Sequence, residues 1–372
     1  MKKFFIICAL ALSASTPVVA QVHQDVQGFW KARVVEVVSE EKRIVEGTNT
    51  QSTFQKLRVE VLEGDKKGQI LTIDNDYIVL KQGDTFFLNY LLSIGGAESY
   101  SVRDIERRPA VFLFVGLFIV FIIAFGGMQG VRSLLSLAGS LLIIVYVLLP
   151  LLLKGYPPIL MSTLVATTIL FLAIYFTHGF NKESTAAFFG TVIAIIFTGI
   201  LAYIAVAMTR LSGFSSDETV YLNISTNGLL NMQGLLLGAI IIGVLGVLDD
   251  IAITQATVVR ELYGSASHLS KREIYTKAIS VGKEHVGALV NTLALAYAGA
   301  SLPLLLLYST STNNTAMIFN YEIFATEIVR TIVGSIGLIL TVPLSTGIAV
   351  LLLSRTKGVP SEHAHSHGHH HH

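Results

Sequence analysis

From Ala110 onward the chain alternates long apolar segments with short polar links, and each segment approaches the length that a bilayer requires. Seven spans are predicted, at about 110–127, 133–153, 157–177, 184–208, 231–259, 285–308 and 329–353. The region ahead of them, residues 22–106, follows a different pattern. WKARVVEVV, FQKLRVEVLEG, GQILTI, YIVL and DTFFLNYLL read as short strands, with EGDKKG and KQGD as turns between them. The pattern predicts a polytopic α-helical membrane protein of about seven spans, preceded by a small β-barrel domain of the OB or SH3-like kind. No internal repeat is evident.

Composition supports this reading. The chain is 52% hydrophobic and 14% charged, well below the quarter that soluble domains carry. A formal net charge of +1 gives no basis for nucleic acid as a partner. MKKFFIICALALSASTPVVAQ has Lys2 and Lys3, a short apolar run and a Val18-Val19-Ala20 cleavage site, so residues 1–20 are expected to be a secretory signal. The sole cysteine, Cys8, lies in that leader, which excludes disulfides and Cys-ligated metals in a mature chain.

These features set a topology. The barrel, residues 22–106, is expected outside, the helical domain, residues 110–354, in the plasma (inner) membrane, and a tail, residues 355–372, in the cytoplasm. The links then predicted inside hold Arg132, Lys182, Arg260, Lys271, Arg272, Lys277 and Lys283, with Arg355 and Lys357 after the last span. The outer links hold Lys154 and Arg210, as the positive-inside rule asks. Arg107 and Arg108, just before the first span, stand on the wrong side.

The fifth span, GVLGVLDDIAITQATVV, contains the candidate chemistry. Gly243, Gly246, Asp250, Thr254 and Thr257 share one helical stripe, and Asp249 and Gln255 lie off it. Gly234 and Gly238 form a GxxxG pair that favours close helix contact. The segment from Asn231 to Val259 is long for one straight span, so it is expected to be tilted, broken or partly re-entrant. An ionised carboxylate in hydrocarbon is expensive and usually pairs, faces the bundle interior or carries an ion. The plainer alternative is a solvated helix end. Arg260 follows ten residues later, about 15 Å along a helix, which favours the functional alternative.

In the sixth span, Glu284, Ala288 and Asn291 share a face with Ala294 and Ala298, and His285 is one step round. Asn291, deep in the span, needs a partner, and Pro303 is placed to bend the helix. Ahead of the seventh span, Glu322, Thr326 and Arg330 align, and Glu327 is within a turn of Arg330, as a charge gate or a structural pair. Asp249, Asp250, Glu284, His285 and Asn291 thus form a candidate ion-binding set, with Thr254 and Gln255 lining the path. Oxygen ligands with one imidazole suit a divalent metal ion of the Mn, Zn, Mg or Ni class, with Asp249, Asp250 and His285 as candidate metal ligands, or a proton relay. The tail adds His363, His365, His367, His369, His370, His371 and His372, read either as a native metal-binding segment or as a purification tag.

GVLGVLDDIAITQATVV, GKEHVGALVNTLALAYAGASLPLLLL and NYEIFATEIVRTIVGSIGLILTVPLSTGIA resemble the YibE/F family of bacterial membrane proteins. The resemblance covers most of the chain, including a β-domain ahead of the spans. Asp249-Asp250, Thr254-Gln255, Glu284-His285, Asn291-Thr292, Tyr297, Gly299, Glu322, Glu327 and Arg330 fit its pattern, and the His-rich tail does not belong to it. The resemblance implies a multi-spanning protein of transport type without assigning a substrate.

The expected function is secondary transport, with export of a small divalent cation. The chain carries no nucleotide-binding motif and no HExxH or GxSxG signature, so an enzyme is not expected. The alternative is a non-transporting envelope assembly or accessory protein whose barrel docks an external partner. Expected partners are the ion, the bilayer, and either a second copy of the chain or that envelope protein.

Overall fold

A computed structural model describes residues 26–44, 47, 50–93, 97–266, 268–310 and 315–354. The predicted leader with Cys8 and the His-rich tail lie outside the described residues, as do Arg355 and Lys357. The chain divides into two compact units between Phe118 and Ile119.

In the first unit, β1 (Val26–Ile44), β2 (Gln51–Val61), β3 (Ile70–Asn75), β4 (Thr85–Leu92) and β5 (Glu98–Ile105) form one antiparallel sheet, curled into a half-barrel, in the order β3-β2-β1-β4-β5. β1 is long enough to pair with β4 through its first half and with β2 through its second. Register shifts between Val34 and Glu36 and between Val37 and Ser39 interrupt its pairing with β2, and such bulges bend a strand. Alternation places Leu57, Val59 and Val61 of β2 and Phe86 and Leu88 of β4 in a shared apolar core with Ala32, Val34 and Val102.

Two sequence expectations change here. YIVL is not a strand: Gln55 and Asn75 hold its backbone with buried side-chain amides. Gln55 Nε2 donates to the Leu80 carbonyl at 2.9 Å, Gln55 Oε1 accepts from the Leu80 amide at 2.8 Å, and Asn75 Nδ2 donates to the Ile78 carbonyl at 2.7 Å. Those bonds replace ladder pairing and leave Leu80 plugging the core. The fifth strand is ESYSVRDI, whose polar composition hid it; only Val102 of it is buried.

In the helical part, α1 (Arg108–Ile143), a π-helical turn (Ile144–Leu148) and α2 (Leu149–Leu153) form one 46-residue apolar stretch. It is broken at Gly127, whose φ of 51° and ψ of −134° lie outside helical space and in the region that glycine tolerates. A Cβ on Gly130 would run into the Ile122 carbonyl, a group about 12 Å away along an unbroken helix, so the chain doubles back there. The remaining helices are α3 (Pro158–His178), α4 (Lys182–Thr209), α5 (Asp217–Ser225), α6 (Met232–Ser265), α7 (Lys271–Ala300), α8 (Leu302–Ser309), α9 (Thr315–Asn320) and α10 (Glu322–Leu353). α6 is the hub, packing against α3, α4, α7 and α10. It is one unbroken helix of 34 residues, neither interrupted nor re-entrant. Its two GxxxG glycines seat on α3: a Cβ on Gly234 would lie 3.2 Å from Pro158, and one on Gly238 would meet Ser162.

Among the described residues five helical stretches are long and apolar enough to cross a membrane, and six if the α7–α8 pair, bent by 62°, counts as one span. Pro303 stands just past that bend, as expected of a residue that removes a helix hydrogen bond.

Candidate functional site

α6 carries Asp249 and Asp250 in its middle turns, one partly buried and the other exposed. Both line a cavity of about 550 Å³ among α1, α3 and α6. Although a helix sets their side chains about 100° apart, the opening is wide enough to receive both. Gly246, one turn earlier, has open space where a Cβ would stand, so the helix adds no bulk at the mouth of the pair.

The opposite wall comes from residues that sequence reading passed over. Ser133, Ser136 and Ser140 line the cavity from α1, at helical spacings of three and four. Ser140 Oγ donates to the Ser136 carbonyl at 2.9 Å, which leaves its oxygen lone pairs as acceptors. Thr177 and His178 contribute from the end of α3, and His178 lies within electrostatic reach of Asp250 and Glu183. Among the described residues no lysine or arginine lines the cavity, so its two carboxylates have no counter-charge from them there. The nearest fixed cation on α6 is Arg260, held by Glu183 at 2.9 Å and by Glu261 at 2.8 Å. The signal for this wall was present in the sequence as a serine stripe in the second predicted span and an imidazole at the end of the third.

The other proposed site residues stand elsewhere. Glu284 and Asn291 are exposed on α7, and His285 is half-buried with no partner for Nε2 among the described residues. None of the three lines the cavity. Among the described residues no three His, Cys, Asp or Glu side chains are placed to share a metal ion, so Asp249 and Asp250 are gathered into one ligand set neither with His285 nor with His178. The imidazole that shares their cavity is His178.

Gln255 is buried and accepts a 2.9 Å hydrogen bond from Thr346 Oγ1 of α10, and Thr254 is partly buried; neither lines the cavity. Glu327 and Arg330 form the expected pair at 2.7 Å, with Tyr297 within their electrostatic reach. Glu322 is not part of that pair. Its carboxylate accepts from the backbone amides of Ser212 and Gly213 and from Ser212 Oγ, each at 2.8 Å, and so clamps the loop after α4.

No curated protein and no solved structure matches the chain. The family model described as YibE/F-like protein matches residues 114–355, which takes in every residue that lines the cavity. The chain belongs to the YibE/F-like family.

Proposed function

We propose that this protein is a secondary transporter that moves a small cation, a divalent metal first among them, through the cavity at Asp249 and Asp250. One observation carries the reading: two carboxylates, an imidazole and a row of hydroxyls line one space among apolar helices, with no lysine or arginine among its described lining residues. Such a wall costs a membrane protein stability unless a cation or proton occupies it in the working cycle. The donors are oxygen-rich with one nitrogen, which suits hard or borderline divalent ions. His178 replaces His285 as the imidazole of the site, and Ser133, Ser136 and Ser140 form its other wall.

In this reading the segments on either side of Gly127 cross separately, which gives seven spans with the bent α7–α8 pair. The chain sits in the inner membrane, with the β-unit outside as an OB-like barrel left open between β3 and β5. Arg107 and Arg108, which face outward in that topology, are engaged by Asp104 and Glu106.

The test is cation flux into vesicles reconstituted with the purified protein, comparing wild type with Asp249→Asn/Asp250→Asn. Flux that falls at least tenfold while the variant stays monodisperse supports the proposal. Equal flux overturns the carboxylate site. No flux by the wild type for any ion in a divalent panel, with an envelope protein retained by the β-unit, would instead favour the accessory-protein reading.

A further inference from the structure

The amide of Asn291 has no place in the cavity, and the helix that carries it packs on one side only. The buried residues of α7 are Ile274, Ala278, Gly282 and Leu293, on the face toward α6 and α10. The other face is exposed along a regular line: Lys277, Val281, Glu284, Ala288, Asn291, Leu295 and Ala298, at steps of four and three that repeat every seven residues. Steps of four and three keep these residues on one side of the helix, the arrangement through which a helix packs along a neighbour. From Val281 to Ala298 the seam runs about 26 Å, most of a bilayer's hydrocarbon thickness.

The residues on the seam narrow down what covers it. Lys277 and Glu284 belong to the charged, polar first half of the helix. The apolar half presents Ala288, Asn291, Leu295 and Ala298, flanked by Gly287, Thr292 and Gly299, all exposed. Small side chains let two helices approach closely. Lipid alone would leave the Asn291 carboxamide without a hydrogen bond, which hydrocarbon penalises heavily. A carboxamide is both donor and acceptor, so it is satisfied by another of its kind. A second copy in the same membrane has the same orientation, and a two-fold axis along the membrane normal sets Asn291 against Asn291 at the same depth. We infer that α7 is the contact between two copies of this chain, which pair in parallel along the Val281–Ala298 seam and satisfy each other's Asn291. The inference needs α7 to lie in the bilayer and does not depend on what the cavity carries.

The sequence makes this easy to test, since Cys8 is the only cysteine. In a Cys8→Ser background, single substitutions Ala288→Cys, Leu295→Cys and Ala298→Cys are compared with Val286→Cys and Val290→Cys, on the packed side of the helix, by mild oxidation in native membranes. The expected result is a disulfide-linked species of twice the chain mass at the three seam positions, in at least fivefold higher yield than at the other two. In a Leu295→Cys background, Asn291→Leu should lower that yield several-fold while Asn291→Gln largely keeps it. Gel filtration of each variant confirms that it is folded. Absence of dimer at all seam positions, equal yield on both sides of the helix, or a crosslinked species of any other mass would overturn the inference.

Discussion

Thr346 Oγ1 of α10 donates a 2.9 Å hydrogen bond to Gln255 Oε1 of α6, between two side chains that are almost wholly excluded from solvent. The third helix of the junction, α7, comes in at Gly282, where a Cβ would stand 2.6 Å from Val342 Cγ1 and 2.8 Å from Gln255 Nε2. The amide therefore ties α6 to α10, and the glycine lets α7 close over the tie. Gln255→Leu is expected to cost about 1–3 kcal/mol, because it strips the partner from a buried hydroxyl. Adding Thr346→Val should recover part of that loss, since two apolar partners leave nothing unsatisfied. Thermal unfolding in detergent checks both. Equal melting temperatures for Gln255→Leu and wild type would show that the bond contributes nothing.

Space beside the carboxylates gives a second prediction. Gly246 faces open volume in the cavity. Gly246→Phe should therefore leave the fold intact and cut cation flux at least tenfold by filling the space, whereas Gly246→Ala should change it little. His178→Ala is expected to weaken apparent cation affinity about tenfold, in line with the loss of a polar group that lines the cavity. His285→Ala should leave affinity unchanged, because His285 does not reach the cavity. Concentration dependence of flux separates these outcomes. If His285→Ala weakens affinity and His178→Ala does not, the imidazole has been assigned to the wrong helix.

Much of the architecture was legible in the sequence, for identifiable reasons. Apolar length located the helices, and the GxxxG glycines marked a close helix contact without naming α3 as its partner, because lipid and close packing each leave a local signature. Asp249 and Asp250 stood out because carboxylates are rare in such a run. Their surroundings were not legible. A helix gives its own residues a direction but not a neighbour, and the aspartates turned to α1 and α3, earlier in the chain, rather than to α7, the next helix. Ser133, Ser136, Ser140 and His178 are unremarkable where they stand in sequence and gain meaning only from that pairing. The strand reading of YIVL failed for the opposite reason: its run of β-favouring apolar residues is real, but Gln55 and Asn75 satisfy its backbone from the side.

Acid sensitivity of the β-unit follows from Glu106. Arg108 Nε donates to its carboxylate at 2.7 Å and Lys31 lies 3.4 Å away. The bonds from Arg108, with help from Lys31, hold its pKa down at about 2, against an ordinary 4.5. A carboxyl depressed in the folded state favours folding above its ordinary pKa, and that contribution is lost as pH falls from about 4.5 towards 2. Trp30, the only tryptophan, stacks on Tyr90 at 4.6 Å within this unit and reports its unfolding. Denaturant midpoints followed by its fluorescence should fall through that pH window in the wild type, and Glu106→Gln should flatten the fall. An identical pH profile for the two proteins would remove Glu106 from the explanation.

The carboxylate of Glu322 gives the last prediction, and it separates a clamp from a gate. The three groups that donate to it all belong to Ser212 and Gly213, more than a hundred residues earlier in the chain. Gly213 holds a φ of 89°, and a Cβ there would meet the Gln233 amide at 2.8 Å, so this loop is pinned between α10 and the start of α6. A charged acceptor for two backbone amides is worth roughly 2 kcal/mol in a partly exposed position. Glu322→Ala is therefore expected to lower the melting temperature by several degrees and to make the chain more readily cut by protease between Arg210 and Ser216. Glu322→Gln, which keeps one acceptor oxygen, should lie between. Arg330→Gln, at the other charge pair, should leave cleavage in that loop unchanged, because Arg330 bonds Glu327 instead. A gate would behave differently: neutralising Glu322 would alter flux without altering stability or cleavage, and that pattern would reverse the assignment.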